Sequence, residues 1–168
     1  MTIFKILVEF FCRIYYNINI PVLIKEEFTM IQIIAGEKGK GKTKILLDKV
    51  NADVLEAKGS IVYLDKSTKH MYELSNKVRL INVHDYCVEN ASEFVGFICG
   101  IISQDHDLEK VYLDSFLKVA CAGDSDIEPV LKKLEMLSNK FEIDFVLSVS
   151  KNADELTEEA KKFITVSL

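Results

Sequence analysis

The sequence predicts an α/β domain with a mainly parallel sheet, because two kinds of segment alternate along the chain from Met30 onward. Short apolar runs are too brief for helices and are typical of strands that are covered on both faces. Segments with apolar residues at helical spacing lie between them, and three begin at a capping side chain. Hydrophobic residues make up 49% of the chain, which is enough for a packed core.

The predicted strands are short runs that end at polar or glycine residues. The first is followed directly by Gly36, and the third is the weakest candidate. In chain order they cover residues 31–35, 60–65, 78–83, 110–114, 144–149 and 163–167.

The predicted helices are marked by apolar spacing and by their starts. The first carries Ile45, Leu46, Val50, Val54 and Leu55 at near-helical spacing and stops at Lys58-Gly59. In the others, a capping side chain can accept from a free backbone N–H while a glutamate three residues later reaches back. These pairs are Asn90 with Glu93, Ser125 with Glu128, and Asn152 with Glu155.

Residues 1–29 differ from the rest of the chain. Their longest uncharged stretch, residues 14–24, is 11 residues, whereas a membrane span needs about 20, so no transmembrane segment is expected. One interpretation is an amphipathic appendage that docks on the domain, a membrane surface or a partner. The other, which we favour, is that the native protein starts at Met30, so that the domain covers residues 30–168.

The most informative motif lies between the first strand and the first helix. It fits the phosphate-loop pattern G-x-x-x-x-G-K-[ST] without a mismatch. Its residues are Gly36, Glu37, Lys38, Gly39, Lys40, Gly41, Lys42 and Thr43.

Each fixed position of this motif has a chemical reason. Glycines let backbone N–H groups turn inward around phosphate oxygens, and the helix N-terminus adds partial positive charge. Lys42 can reach the β- and γ-phosphates, and the Thr43 hydroxyl can ligate Mg²⁺. The sequence therefore predicts a nucleoside triphosphate site, with ATP and magnesium as ligands.

Residues 30–168 resemble the P-loop NTPase superfamily in its RecA-like and thymidine-kinase-like branches, and they look like a small bacterial ATP-binding protein. The phosphate loop is a strong match, and the remainder matches in layout. The resemblance implies a three-layer α/β/α fold around a five-stranded sheet. The implied strand order is last strand, phosphate-loop strand, then residues 143–150, 110–114 and 60–65.

The resemblance also implies an acidic residue that holds magnesium at the end of a hydrophobic strand. Asp114 fits this role, so that Lys42 and Asp114 would be catalytic and Thr43 and Asp114 would hold the metal. Asp65 fits almost as well, although we expect it to cap the following segment. Ser148 or Ser150 could sense the γ-phosphate.

Departures from the family pattern limit the predicted activity. Ser115 occupies the place where many hydrolysing P-loop ATPases have a glutamate, with Glu109 and Glu128 as possible substitutes. Arginine, which can stabilise the transition state of phosphoryl transfer, occurs only at Arg13 and Arg79. Residues 150–154 only partly match a GTPase base-recognition loop, which favours ATP over GTP.

Three functions remain open from the sequence. The first is a weak or partner-activated ATPase that acts as a nucleotide-dependent switch, with a protein partner or a second copy supplying the missing groups. The second is a nucleoside or small-molecule kinase, and the third is a nucleotide-binding interaction module without turnover. A net charge of −5 argues against a nucleic-acid partner.

The remaining polar residues suggest no further site. None of the four cysteines has CxxC spacing, so we expect buried or half-buried free thiols in a cytoplasmic protein and no zinc site. Residues 66–70 follow the second strand and are expected to form a solvated loop, with a site for an acceptor or partner as the alternative.

Overall fold

The computed structural model describes residues 30–123 and 127–168. The strands are β1 Ile31–Ala35, β2 Ser60–Asp65, β3 Val78–Asn82, β4 Leu108–Leu113, β5 Asp144–Val149 and β6 Ile164–Ser167. The helices are α1 Lys42–Glu56, α2 Ala91–Gln104, α3 Phe116–Val119, α4 Ile127–Phe141 and α5 Glu158–Lys161, with 3₁₀ turns at Val83–Tyr86 and Ala153–Glu155. The predictions for residues 1–29 and for the Ser125 cap lie outside the described residues.

The sheet has the order β3-β2-β4-β5-β1-β6, and each strand pair between described residues is parallel. The five strands of the predicted order are therefore confirmed, with β1 between β5 and β6. The sheet has six strands rather than five, because β3 pairs along its whole length with β2 at one edge. Burial of Val78 and Ile81 against opposite faces of the sheet holds this edge strand in place.

Helices cover both faces of the sheet and give the predicted three layers. On one face, α1 packs Leu46, Leu47, Val50 and Val54 against the strands. On the other, α2 and α4 pack against each other and against the sheet through a larger apolar cluster. No helix of the described residues is long and apolar enough to cross a bilayer.

The helix starts follow the capping pattern with small differences. Asn90 accepts from the backbone N–H of Glu93 at 3.0 Å, but the Glu93 carboxylate reaches back one residue further than expected, to the N–H of Glu89. Asn152 and Glu155 form the complete reciprocal pair, which opens a 3₁₀ turn. The prediction that Leu55 lies on the apolar face of α1 is wrong, since its side chain is 82% exposed and Leu47 is buried instead.

Candidate functional site

Polar side chains gather where β1, β2, β4 and β5 end, beside the start of α1. Asp65, Asp114 and Ser148 are all buried. Each stands two residues after a core residue that packs with α1, namely Tyr63, Tyr112 and Val146 respectively. Because side chains alternate between the faces of a strand, all three lie on the α1 face. The fold thus brings them to the phosphate loop.

The phosphate loop has the backbone that its glycines predict. Gly39 and Gly41 both have φ of 89°, in the left-handed region that glycine adopts without steric cost. Gly36 must also be small, because a Cβ there would meet the Cβ and carbonyl oxygen of Leu168 at 3.0 Å. The first turn of α1 contains no acidic residue of its own, so no side chain of the helix itself offsets the positive end of its dipole.

Lys42 is buried beneath this loop. Its Nζ donates to the carbonyl oxygens of Gly36 at 2.7 Å and Glu37 at 2.6 Å. Burial lowers the pKa of the Lys42 ammonium, and the nearby Asp114 carboxylate opposes that shift. The ammonium is therefore held under the loop by two backbone carbonyls, with the Asp114 carboxylate nearby.

Thr43, Asp114, Ser115 and Ser148 form one hydrogen-bonded cluster. The hydroxyl of Thr43 donates to Asp114 Oδ1 at 3.2 Å, and the hydroxyl of Ser148 donates to the same oxygen at 2.6 Å. The Ser115 N–H donates to Asp114 Oδ1 and to Ser148 Oγ, both at 2.8 Å. The fold therefore brings together Lys42, Thr43 and Asp114, which are far apart in the sequence. The Thr43 hydroxyl and the Asp114 carboxylate are hard oxygen donors that suit Mg²⁺.

Ser115 has an unusual backbone that holds Asp114 in place. Its φ of 53° is left-handed, a conformation that costs a non-glycine residue roughly 1–2 kcal/mol. Its carbonyl accepts from the N–H groups of Lys118 and Val119 at the start of α3. Ser115 is thus a structural pivot between Asp114 and α3, and its side chain brings no carboxylate to the site.

Asp65 belongs to the same polar cluster, although the sequence favours a capping role for it. Its carboxylate does accept from the N–H of Lys66 at 2.7 Å and from the Ser67 hydroxyl at 3.4 Å. Burial raises the pKa of Asp65, as does the neighbouring charge of Asp114, despite the Lys66 bond. The carboxyl groups of Asp65 and Asp114 are thus held close together at the carboxyl ends of β2 and β4.

His70 belongs to the segment 66–70, for which the sequence favours a solvated loop over a site, and Tyr63 is not among the predicted site residues. The segment after β2 turns back, so that a ring nitrogen of His70 and carboxylate oxygens of Asp65 and Asp114 all lie within 4.8 Å of one another. The expectation of a solvated loop is therefore wrong for His70, whose side chain is only 13% exposed. Tyr63 gives a weak sequence signal, since it stands two residues before Asp65. His70 gives none, because the fold-back of residues 66–70 follows no period.

Lysine side chains surround the mouth of the site. Contact with Lys66, followed by the charges of Lys66 and Lys38, lowers the pKa of the exposed Lys118 ammonium. Residues from the phosphate loop, from the segment after β2 and from α3 thus create one region of positive potential. Such a region favours an anionic ligand.

Other predicted candidates lie away from this cluster. Glu109 caps the backbone N–H groups of Lys58 and Gly59, and Glu128 pairs with Lys132 on α4. Arg79 is exposed on the edge strand β3, and Ser150 is exposed beyond β5.

The residues after β5 and the cysteines bear on two further predictions. The residues after β5 hold the phosphate loop, since the Gly36 N–H donates to the Lys151 carbonyl at 2.7 Å and the Asn152 amide donates to the Glu37 carboxylate at 3.1 Å. The expectation of buried thiols is wrong for Cys87 and Cys99, which are exposed, whereas Cys121 is half-buried.

Comparisons with known proteins agree with the fold. No family model matches the chain, and no curated protein matches its sequence. Among solved structures, it is similar to the flagellar accessory protein FlaH from Methanocaldococcus jannaschii, with a TM-score of 0.50 and 14% identity. The match covers 77% of this chain and 63% of that one.

The chain has a three-layer α/β/α fold with a parallel sheet, and this fold is similar to that of FlaH. The phosphate-loop sequence lies between β1 and α1. At this identity the comparison concerns the fold alone, and the matched region spans less than two thirds of FlaH.

Proposed function

We propose that this protein binds ATP with Mg²⁺ at the phosphate loop and is a weak or partner-activated ATPase that uses nucleotide state as a switch. The observation that carries the proposal is the meeting of Lys42 and Thr43 with Asp114 at the ends of the parallel strands. We expect the protein to act in the cytoplasm, and a bacterial source remains an expectation from the sequence.

The phosphate-binding role follows from what the loop residues offer. Loop N–H groups and the start of α1 would receive the phosphate oxygens. The Lys42 ammonium would exchange its two carbonyl acceptors for charged phosphate oxygens, which are stronger acceptors. Thr43 and Asp114 would hold the magnesium ion, which neutralises phosphate charge when bound.

Slow intrinsic turnover follows from what surrounds the phosphates. No arginine of the described residues lies in the cluster, since Arg79 stands on the edge strand. Lys38, Lys66 and Lys118 supply positive charge instead, but a flexible ammonium lacks the planar, bidentate geometry of a guanidinium. We therefore expect a protein partner or a second copy of the chain to complete the site.

Binding without turnover is a second candidate, and the geometry of Ser115 favours it. The residue after the magnesium aspartate carries no carboxylate, and its N–H is engaged by Asp114 and Ser148. Asp65 is the nearest alternative base, because its carboxylate is buried beside Asp114 and its pKa is raised by burial. Turnover would therefore depend on Asp65 rather than on the residue after Asp114.

The test is mass spectrometry of the nucleotide that copurifies with the protein, before and after incubation with Mg²⁺. Retained ATP that converts slowly to ADP would support the ATPase, and the Asp65→Asn variant should then keep ATP unconverted. ATP that survives in the wild type under every condition would favour the binding module.

Two further results of the same assay bear on the proposal. Conversion only after addition of a nucleoside panel would favour the kinase. If no nucleotide is retained and titration with ATP and Mg²⁺ gives no binding, the proposal is wrong.

A further inference from the structure

The Asp65, His70 and Asp114 side chains form a compact set of ligand atoms beside the phosphate loop. One ring nitrogen of His70 and one oxygen from each carboxylate lie within 4.8 Å of one another. Transition-metal bonds to these ligand types are about 2.0–2.2 Å long, so one ion could contact all three after small side-chain movements. Asp65 is fully buried and Asp114 is 2% exposed, so the set is shielded from water.

His70 is oriented as a metal-ligating histidine is. Its Nδ1 contacts the Glu73 carboxylate at 2.7 Å. A carboxylate in this position holds the proton on Nδ1 and leaves the lone pair of Nε2 available. Among the described residues, the buried Nε2 has no hydrogen-bond partner. We therefore assign Nε2 as the free ligand atom.

Tyr63 and Asp114 give independent signs of an unsatisfied site. The Tyr63 side chain is fully buried, and its hydroxyl lies beside the Asp114 carboxylate without a well-aligned hydrogen bond to any described residue. Burial raises the pKa of this hydroxyl, as do the charges of Asp114 and Asp65 and the contact with Asp114. On Asp114, the donors Thr43, Ser115 and Ser148 all reach Oδ1 and none of these three reaches Oδ2.

Charge gives the physical reason for a cation here. Two buried carboxylates at this distance repel each other, and burial strengthens that repulsion. Lys42 lies near Asp114, but the described residues form no salt bridge to Asp65. A divalent cation would neutralise both acids and would satisfy the His70 nitrogen at once.

We propose that Asp65, His70 and Asp114 bind a divalent transition-metal ion in the absence of nucleotide. Its nitrogen ligand distinguishes this site from the all-oxygen pair Thr43–Asp114 proposed for Mg²⁺. Divalent transition-metal ions, Mn²⁺ included, accept a histidine nitrogen beside carboxylate oxygens, whereas magnesium prefers oxygen ligands and keeps its waters. Asp114 belongs to both ligand sets, so the transition metal would adjoin the terminal phosphate of a bound nucleotide.

The experiment uses Mn²⁺ as the probe, because the exposed Cys87 and Cys99 thiols would also capture softer ions such as Zn²⁺. Electron paramagnetic resonance of the nucleotide-free protein should show one bound Mn²⁺ per chain, with electron-spin-echo modulation from an imidazole nitrogen. A fifty-fold excess of Mg²⁺ should leave most of the Mn²⁺ bound.

Variants assign the ligands. His70→Asn should weaken Mn²⁺ binding at least tenfold and abolish the nitrogen modulation, and Glu73→Gln should weaken it by about 10–100-fold. His84→Asn is the matched control, because His84 is an exposed histidine on the 3₁₀ turn after β3 and should leave binding unchanged. Glu73 is 59% exposed in its side chain, so Glu73→Gln also serves if His70→Asn fails to fold.

The outcomes separate this inference from the proposed function. Mn²⁺ that binds only with ATP, without nitrogen modulation, would overturn the metal site and leave the nucleotide site standing. The same conclusion follows if the nucleotide-free protein binds no Mn²⁺ while it binds ATP. Mn²⁺ binding that depends on His70, in a protein that binds no ATP, would establish the metal site and remove the proposed function.

Discussion

Two polar clusters lie under α1, one toward each end of the strands, and they differ in how completely their groups are satisfied. Toward the amino ends, the Tyr112 hydroxyl and the Lys110 ammonium both bind Asp53 Oδ2 on α1. Lys110 also lies 3.9 Å from Asp144. Toward the carboxyl ends, two carboxylates adjoin each other, and Tyr63 and His70 each have an atom without a partner among the described residues.

The two tyrosines make the contrast direct. Tyr63 and Tyr112 pair across β2 and β4, and their rings stack with centroids 6.3 Å apart. The Tyr112 hydroxyl donates to the Asp53 carboxylate, whereas the Tyr63 hydroxyl lies beside the Asp114 carboxylate without a well-aligned hydrogen bond to a described residue. Polar groups that satisfy one another stabilise the fold, whereas buried groups left without partners indicate where a ligand is expected. The amino-end cluster is therefore structural, and the carboxyl-end cluster is the candidate site.

The largest expected effect tests whether the carboxyl-end cluster is functional. We expect Lys42→Ala to weaken ATP binding roughly 100-fold, because the charge-assisted hydrogen bonds that the Lys42 ammonium would donate to phosphate oxygens are lost. Isothermal titration with ATP and Mg²⁺ measures the effect. Lys44→Ala is the control, since Lys44 is exposed two residues later and should retain its affinity. Equal affinity of wild type and Lys42→Ala would contradict the assignment.

Opposite changes in stability are expected from Asp53, which is half-buried, and Asp65, which is buried. Asp53→Asn should lower the free energy of unfolding by about 1–2 kcal/mol, because Lys110 and Tyr112 lose a charged partner. Asp65→Asn should raise it by on the order of 1 kcal/mol, because one of two adjacent carboxylates loses its charge. Urea unfolding at pH 7 measures both changes. If Asp65→Asn is as destabilising as Asp53→Asn, the contrast between the clusters is wrong.

The pH dependence of these two variants sharpens the comparison. Burial raises the pKa of Asp65 above its ordinary value of 3.8, so its ionised form destabilises the fold at neutral pH. The advantage of Asp65→Asn should shrink as the pH falls through that raised pKa toward 3.8.

Burial alone would raise the pKa of Asp53, but hydrogen bonds from Tyr112 and Lys110 outweigh burial, so the pKa is lowered. Its stabilisation is complete above pH 3.8 and is lost below it, so the Asp53→Asn effect should persist to lower pH. Unfolding curves at a series of pH values from 7 to 3 test the order of these two transitions.

The smallest expected effect concerns the paired tyrosines. Tyr112→Phe should destabilise the fold by about 1 kcal/mol, because Asp53 loses a hydrogen bond. Tyr63→Phe should change stability by less than about 0.5 kcal/mol, since the hydroxyl it removes makes no well-aligned hydrogen bond, despite its contact with Asp114. Urea unfolding of the two variants in parallel measures the difference. A larger loss from Tyr63→Phe would show that its hydroxyl is satisfied in solution.

Much of the fold could be predicted because buried parallel strands leave a clear local pattern. The bounds of β1, β2 and β5 match the predicted runs, and the order of five strands follows from the resemblance. Errors arose where the apolar spacing of a helix did not match the burial of its residues. Leu55 fits the apolar spacing of α1 yet lies on its solvent side, whereas its neighbour Val54 is buried against the sheet.

The candidate site was only partly predictable, for a different reason. The residues of the phosphate loop are consecutive, so the motif can be identified from the sequence alone, and Asp114 follows a recognisable strand. His70 belongs to a turn that folds back to β2, and no repeat or propensity specifies that path. Asp65 and Ser148 fall between these cases, since their alternation with Tyr63 and Val146 places them on the α1 face once the strands are known.

The position of β1 in the sheet has a consequence for how the chain folds. β1 comes first among the described strands, yet its two neighbours are β5 and β6, so Ile31 pairs with Phe145 and Ile33 pairs with Ile164. During synthesis β1 must wait for both partners to leave the ribosome, and contacts between such distant residues form slowly. We therefore expect the phosphate loop, which follows β1, to reach its final position only after these long-range contacts have formed.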